Sequence, residues 1–319
     1  MSAPFPARPR IAIVGSGAVG CYYGGRLAQH GHEVHFLLRS DYDAVKKSGL
    51  QVRSCDGDFH LPRVSCHRST ADIGPCDLVI VAMKTTANQA LPGLLPPLLA
   101  SDTLILTLQN GLGSDDFLAE CFGSERVLGG LCFVCINRIA PGVIEHFAQG
   151  HISLGEHSGP PQPRTLALAE MLRTSGISCG VEANLLTARW KKLVWNIPFN
   201  GLSIAAGSKD TAAILADPTL EQRVRDLMRE IIGTAGRLGH PIPLSLIDSM
   251  IERTRTMSGY KPSSLVDFLA GREVELDTIW GEPLHRAKIA GIAMSKLEAL
   301  YGELRERLGE VHQDGCGAL

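Results

Sequence analysis

A lysine and two asparagines stand four residues apart in "ARWKKLVWNIPFNG", residues 188–201. On a helical period Lys192, Asn196 and Asn200 share one face, with Ser203 near the same line, amid Leu193, Val194, Trp195, Ile197 and Phe199. An ammonium brings charge and three donors, and amides orient oxygen atoms without adding charge. Such a stripe meets either water or a polar ligand. Pro198 inside the same segment removes one helical hydrogen bond, so a kink is expected there.

A second set lies near the start. "GSGAVG" places Gly15, Gly17 and Gly20 in the G-x-G-x-x-G spacing between an apolar strand, Ile11–Val14, and a helix from about Ala18 to His30. The first glycine makes the tight turn, the second lets backbone approach a pyrophosphate, and the third packs helix on strand. Amides at the helix start favour a bound anion, which makes Gly15, Ser16, Gly17, Ala18, Val19 and Gly20 the expected dinucleotide contacts. The next strand, Val34–Leu38, ends in Arg39, where an acid would suit the ribose hydroxyl of NAD. A guanidinium suits a 2′-phosphate, so the residues favour NADP(H), although Asp41 stands close by. Two further strand ends carry polar residues, Lys84 in "VAMK" and Asn110 in "LQNG", and ligands of open α/β sheets sit at such ends.

These residues need elements to hold them. The 319 residues suffice for two domains, with 45% hydrophobic and 20% charged residues and a formal net charge of -2. That balance gives no field to recruit nucleic acid or an acidic membrane, and no apolar run reaches the roughly 20 residues that span a bilayer. Nothing resembles a signal peptide, and "MSAPFPARPR" reads as a short loose arm. The nine cysteines lack a framework spacing, which fits a reducing compartment and a cytoplasmic protein. Cys132 and Cys135 fall three apart on a strand and read as buried thiols. His60, His67, His146 and His151 lack ligand spacing, so no metal site is expected.

Residues 1–183 alternate strand and helix, and residues 184–319 are helical in period. "LQVRS" and "DFHLPRVSC" suggest a hairpin around Asp56-Gly57; "CDLVIVAMK" and "TLILTLQNGLG" read as strands, and "TANQALPGLLPPLLA" as a helix loosened by prolines. Later helices are expected over 184–206, 218–238, 243–257, 263–270 and 275–308, the last divided or kinked by Gly281 and Pro283. The tail "GEVHQDGCGAL" reads as frayed.

With "GSGAVG", "MK" at 83–84, "QNGLG" at 109–113, "RWKKLVWNIPFNGLS" at 189–203 and "KPSSLVDFLAGREVELD" at 261–277, the chain resembles the ketopantoate reductase (2-dehydropantoate 2-reductase) family over nearly its whole length. The resemblance implies an α/β fold: an N-terminal Rossmann-type dinucleotide-binding domain followed by an all-helical domain of the 6-phosphogluconate-dehydrogenase type. It implies NADPH-dependent reduction of a 2-oxo acid, ketopantoate to pantoate, by a monomer or homodimer whose partner is that small molecule. Lys192 then matches the general acid, and Glu275 the acid of the distal signature, catalytic and near the cofactor. Asn196, Asn200 and Ser263 match substrate-binding residues, Asn110 one that touches both cofactor and substrate, and Lys84 the lysine near the nicotinamide. The family's "NPLT" is "NGLS" here, and its loop asparagine has no counterpart beyond Asp210, an anion where an anion would bind. These departures leave open another 2-oxo acid and leave the reaction type intact; the rival of a different class is an NADPH sensor without turnover, against which the retained Lys192, Glu275 and Ser263 argue.

Overall fold

The computed structural model describes residues 5–314, with side chains to residue 309. The chain divides into two compact units: residues 1–110 with 114–185, and residues 111–113 with 186–319.

The first unit begins with β1 (Arg10–Val14), α1 (Ala18–Gln29), β2 (Glu33–Leu37), α2 (Tyr42–Ser48), β3 (Leu50–Ser54), β4 (Phe59–Leu61), β5 (Ser65–His67) and β6 (Cys76–Val81). A short α3 (Leu91–Leu94) lies between two 3₁₀ turns, and then come β7 (Leu99–Thr107), α4 (Ser114–Phe122), β8 (Val127–Ala140), β9 (Val143–Glu156), α5 (Pro163–Thr174) and β10 (Cys179–Val181). The strands form one sheet in the order β4-β3-β9-β8-β7-β6-β1-β2-β5, with β10 on β9. From β5 through β2, β1, β6 and β7 to β8 every pairing is parallel, and strand order reverses direction at β1. Val14 lies opposite Leu37 and Val81, and Val81 opposite Thr107, so these strands end along one edge of the sheet. The buried runs Ile11–Val14 and Leu78–Val81 give the sheet apolar residues for both faces, as a helix-covered parallel sheet requires.

One difference from the sequence reading is local. "DFHLPRVSC" contains two strands, not one: β4 closes the expected hairpin with β3, whereas β5 crosses to the opposite edge and pairs with β2. Strand β9 is continuous and forms a long bulged hairpin with β8. One bulge falls between Phe133 and Val134, so simple alternation does not hold between Cys132 and Cys135. Cys132 is half-buried, Cys135 is buried, and neither forms a disulfide. Helices α2 and α4 carry too few residues to announce themselves by period.

The second unit is helical: α6 (Leu185–Ala205), whose first residue belongs to the first unit, α7 (Thr211–Ala216), α8 (Pro218–Arg237), α9 (Leu246–Arg255), α10 (Ser263–Leu269), α11 (Glu282–Ile289) and α12 (Ser295–Asp314). Its core gathers Trp190, Leu193, Val194, Ile197 and Phe199 of α6 with Met228, Ile231, Trp280, Leu297 and Leu300. The expected 275–308 helix divides at Gly291 (φ +65°), not at Gly281 or Pro283. Pro283 lies near the start of α11, directly after a π-helical turn over Asp277–Gly281. Residues 309–314 of the expected frayed tail continue α12; residues 315–319, like residues 1–4 of the expected arm, lie outside the described ones. Among the described residues no helix is long and apolar enough to cross a membrane.

Candidate active site

The glycine turn occupies the end of β1, the switch point of the parallel strands. Gly15 has φ +101°, and a Cβ there would lie 2.1 Å from the Met83 nitrogen. A Cβ on Gly20 would lie 2.3 Å from the Gly15 carbonyl oxygen. Both glycines are therefore demanded by the protein's own packing. Gly17 differs: a Cβ there would meet nothing within 4 Å. It caps α1 without any side-chain hydrogen bond, and the first turn of α1, with Ala18 and Val19, carries no acid. Beside it the Ser16 hydroxyl is buried without a hydrogen-bond partner. Free amides, open space at the second glycine and an orphaned hydroxyl are what a dinucleotide pyrophosphate would use, so the turn fits that group.

Gln109 braces the neighbouring strand ends. Its amide nitrogen donates to the Met83 carbonyl at 2.9 Å and to Asn88 Oδ1 at 2.7 Å, and Thr107 Oγ1 donates to its oxygen at 3.0 Å. Asn88 in turn reaches Ser114 Oγ at 3.3 Å. This buried network ties the residues beside Lys84 to those beside Asn110, both half-buried. The sequence reading passed over Gln109 and Asn88; a polar residue between the apolar strand β7 and a glycine was the available signal.

Arg39 is exposed after β2 and makes no side-chain hydrogen bond or ion pair among the described residues. Asp41, the acid that weighed against it, is buried and committed elsewhere. It pairs with Arg138 of β8, accepts the Gly142 N–H at 3.2 Å and accepts the Ser40 hydroxyl at 3.0 Å. Burial alone would raise its pKa, but these partners outweigh it and hold the carboxyl below its ordinary value. Asp41 is thus an internal anion with its own cation.

In the helical unit α6 runs as one helix through Pro198, the residue at which a kink is expected. Lys192 is half-buried and its neighbour Lys191 exposed. Asn200, 2% exposed, accepts the Ser264 N–H at 3.0 Å and the Ser263 hydroxyl at 3.4 Å through Oδ1. A backbone N–H can only donate, so it sets the amide's orientation and leaves the NH2 pointing elsewhere. That NH2 has no acceptor among the described residues, and neither amide group of Asn196, 8% exposed, has any hydrogen-bond partner among them. Ser203, by contrast, spends its hydroxyl on the Asn200 carbonyl at 2.8 Å and leaves the polar face.

The half-buried Glu275 precedes the π-helical turn, whose Trp280 packs that segment on α6. The indole N–H donates to the Ile197 carbonyl at 3.0 Å. Gly201, which stands where the family pattern has proline, makes this possible: a Cβ there would lie 2.7 Å from Leu300 Cδ2 and 2.9 Å from Trp280 Nε1. Gly111 (φ +80°) is constrained in the same way by the Thr278 carbonyl oxygen, which accepts the Leu112 N–H at 2.9 Å. Asp210 is the cap of α7, accepting the Ala213 N–H at 2.8 Å, so its position is explained by helix capping.

Comparison with known proteins follows the same division. The model of "Ketopantoate reductase PanE/ApbA" matches residues 11–159, and that of its C-terminal domain matches residues 184–308. The chain belongs to the ketopantoate reductase family. It is 41% identical over 315 residues to a 2-dehydropantoate 2-reductase of Nostoc sp., covering 96% of this chain and 98% of the relative. The crystal structure of 2-dehydropantoate 2-reductase from Geobacter metallireducens GS-15 superposes with a TM-score of 0.91 at 45% identity, over 93% of this chain and 99% of that one. The enzyme of that name from Methylococcus capsulatus follows with a TM-score of 0.87 at 35% identity, over 94% and 97%. The first unit is thus the family's Rossmann-like domain and the second its helical domain.

Proposed function

We propose that the protein is an NADPH-dependent 2-dehydropantoate 2-reductase. The observation that carries this reading is the donor-rich face of α6: two buried amides with unused N–H groups on the line of Lys192. Such a face suits a small anion bearing a carbonyl oxygen, and family membership names ketopantoate.

Gly15, Ser16, Gly17, Ala18, Val19 and Gly20 hold the pyrophosphate, Arg39 the 2′-phosphate, and Lys84, Asn110 and Glu275 the nicotinamide end. Bound there, NADPH supplies the hydride. Lys192, as an ammonium, polarises the keto oxygen and gives it a proton as charge develops, a contribution of about 10²–10⁴-fold. Asn196 and Asn200 donate to substrate oxygens, Ser263 orients the carboxylate, and Glu275 holds the lysine or the nascent hydroxyl. With Asp41 neutralised by Arg138, Arg39 faces a 2′-phosphate without an opposing anion.

The test is NADPH consumption with ketopantoate beside a panel of branched and aromatic 2-oxo acids. Ketopantoate is expected to give the highest kcat/KM. Preference for another acid would replace the substrate, and turnover of none would support the sensing alternative. For the cofactor, Arg39→Ala is expected to weaken NADPH by about 10- to 100-fold, the worth of one or two charge-assisted hydrogen bonds, and NADH little. Equal losses for both would remove the 2′-phosphate assignment.

A further inference from the structure

Away from the glycine turn, the first unit brings together three side chains far apart in the sequence. Cys55 and Asp56 lie in the turn of the β3–β4 hairpin, and His146 lies on β9, which pairs with β3. One donor atom from each lies within 4.8 Å of the others. Cys55 Sγ is 3.7 Å from His146 Nδ1, Asp56 Oδ2 is 3.9 Å from the same nitrogen, and Cys55 Sγ is 3.9 Å from Asp56 Oδ1. We propose that Cys55, Asp56 and His146 form a binding site for a zinc-class divalent cation that staples the hairpin to β9.

The distances argue for it. Ordinary zinc bond lengths in a tetrahedron put sulfur, nitrogen and oxygen donors about 3.4–3.6 Å apart, so Cys55 Sγ and His146 Nδ1 at 3.7 Å are already close to that spacing, and a turn of the exposed Asp56 carboxylate brings a single oxygen toward both. The histidine is prepared as a ligand. Its side chain is wholly buried, its ring packs against Tyr22 with centroids 4.5 Å apart, and its Nε2–H donates to the Ala148 carbonyl at 3.0 Å. That bond directs the Nδ1 lone pair at Cys55 and Asp56, the outer-shell arrangement typical of metal-ligating histidines. Cys55 and Asp56 are exposed, which leaves an entry path and a fourth position for water. A thiolate with an imidazole selects zinc-like ions over magnesium or calcium.

Two neighbours must be accommodated. The Ser54 hydroxyl lies 2.8 Å from Nδ1 and is the group a metal displaces; it keeps the Asp56 N–H and Arg26 Nη2 as donors, both at 3.1 Å. Arg26 is a buried cation with no ion pair among the described residues. Thiolate and carboxylate together cancel a divalent charge, so the filled site adds no net positive charge beside it.

The test is titration of the tag-free, reduced protein with cobalt(II) alone. A single equivalent is expected to give a sulfur-to-cobalt charge-transfer band and the visible bands of tetrahedral cobalt, with zinc displacing it. Cys55→Ser should lose the charge-transfer band, and Asp56→Asn should weaken binding about tenfold or more. Both positions are exposed, so circular dichroism should stay unchanged. Zinc should raise the melting temperature of the wild type and not that of Cys55→Ser. No band in the wild type, or a band persisting in Cys55→Ser, overturns the site.

Discussion

The glycine turn after β1 and the polar face of α6 solve one problem in opposite ways. Each contains some groups committed to the fold and others left for a ligand. In the turn, Gly15 and Gly20 are required by backbone 2.1–2.3 Å from their absent Cβ atoms, whereas the space at Gly17 is open. On α6, the Asn200 oxygen and the Ser203 hydroxyl are committed, whereas the Asn196 amide and the Asn200 NH2 are not. On the proposed reading, the turn works by removing side chains so that backbone N–H groups can approach an anion, and the helix works by adding side chains that can tell one small molecule from another. A phosphate site needs little discrimination, and an oxo-acid site needs a great deal.

The comparison can be broken most forcefully at Lys192. Lys192→Ala is expected to lower kcat at least about a hundredfold while NADPH affinity, measured by fluorescence titration, stays within about twofold. A near-normal rate would show that the helix face holds substrate without donating the proton. The turn can be split next. Gly17→Ala should fold normally and lose NADPH affinity, because its methyl group enters open space that the cofactor needs. Gly15→Ala should instead lose stability, since φ +101° and the Met83 backbone both oppose a Cβ. Thermal melts and NADPH titrations on the pair separate the two roles, and identical behaviour would erase the distinction.

A smaller effect distinguishes the two units by pH. Burial lowers the pKa of His32, His67, His146 and His151 in the α/β unit, and of His240 alone among the shifted histidines in the helical unit. A histidine whose folded pKa is depressed takes up its proton first in the unfolded chain. Stability is therefore full above about pH 6.5 and is lost as pH falls toward the folded values. Hydrogen exchange should show the α/β unit losing protection first on acidification. Parallel loss in both units would mean these histidines do not govern acid stability.

The same contrast explains what could be read from sequence. Strand, glycine turn and helix are contiguous over residues 10–29, so spacing alone reveals them. The Lys192–Asn196–Asn200 stripe follows from helical period. Its division into committed and available groups does not, because that depends on α10, sixty-three and sixty-four residues beyond Asn200. The Gln109–Asn88 brace, the Asp41–Arg138 pair and the crossing of β5 to the far edge are likewise products of long-range packing. The place where the 275–308 helix divides is set by Gly291, whose φ of +65° ends α11, and not by Pro283, which follows the π-helical turn.

The central claim is that the uncommitted amides of α6 face an anionic oxo acid. Asn196→Asp tests it most directly, since it keeps the shape and replaces donors by a negative charge. Steady-state kinetics should show KM for ketopantoate rising about 10- to 100-fold, with the dissociation constant for NADPH unchanged. An unchanged KM would contradict the account.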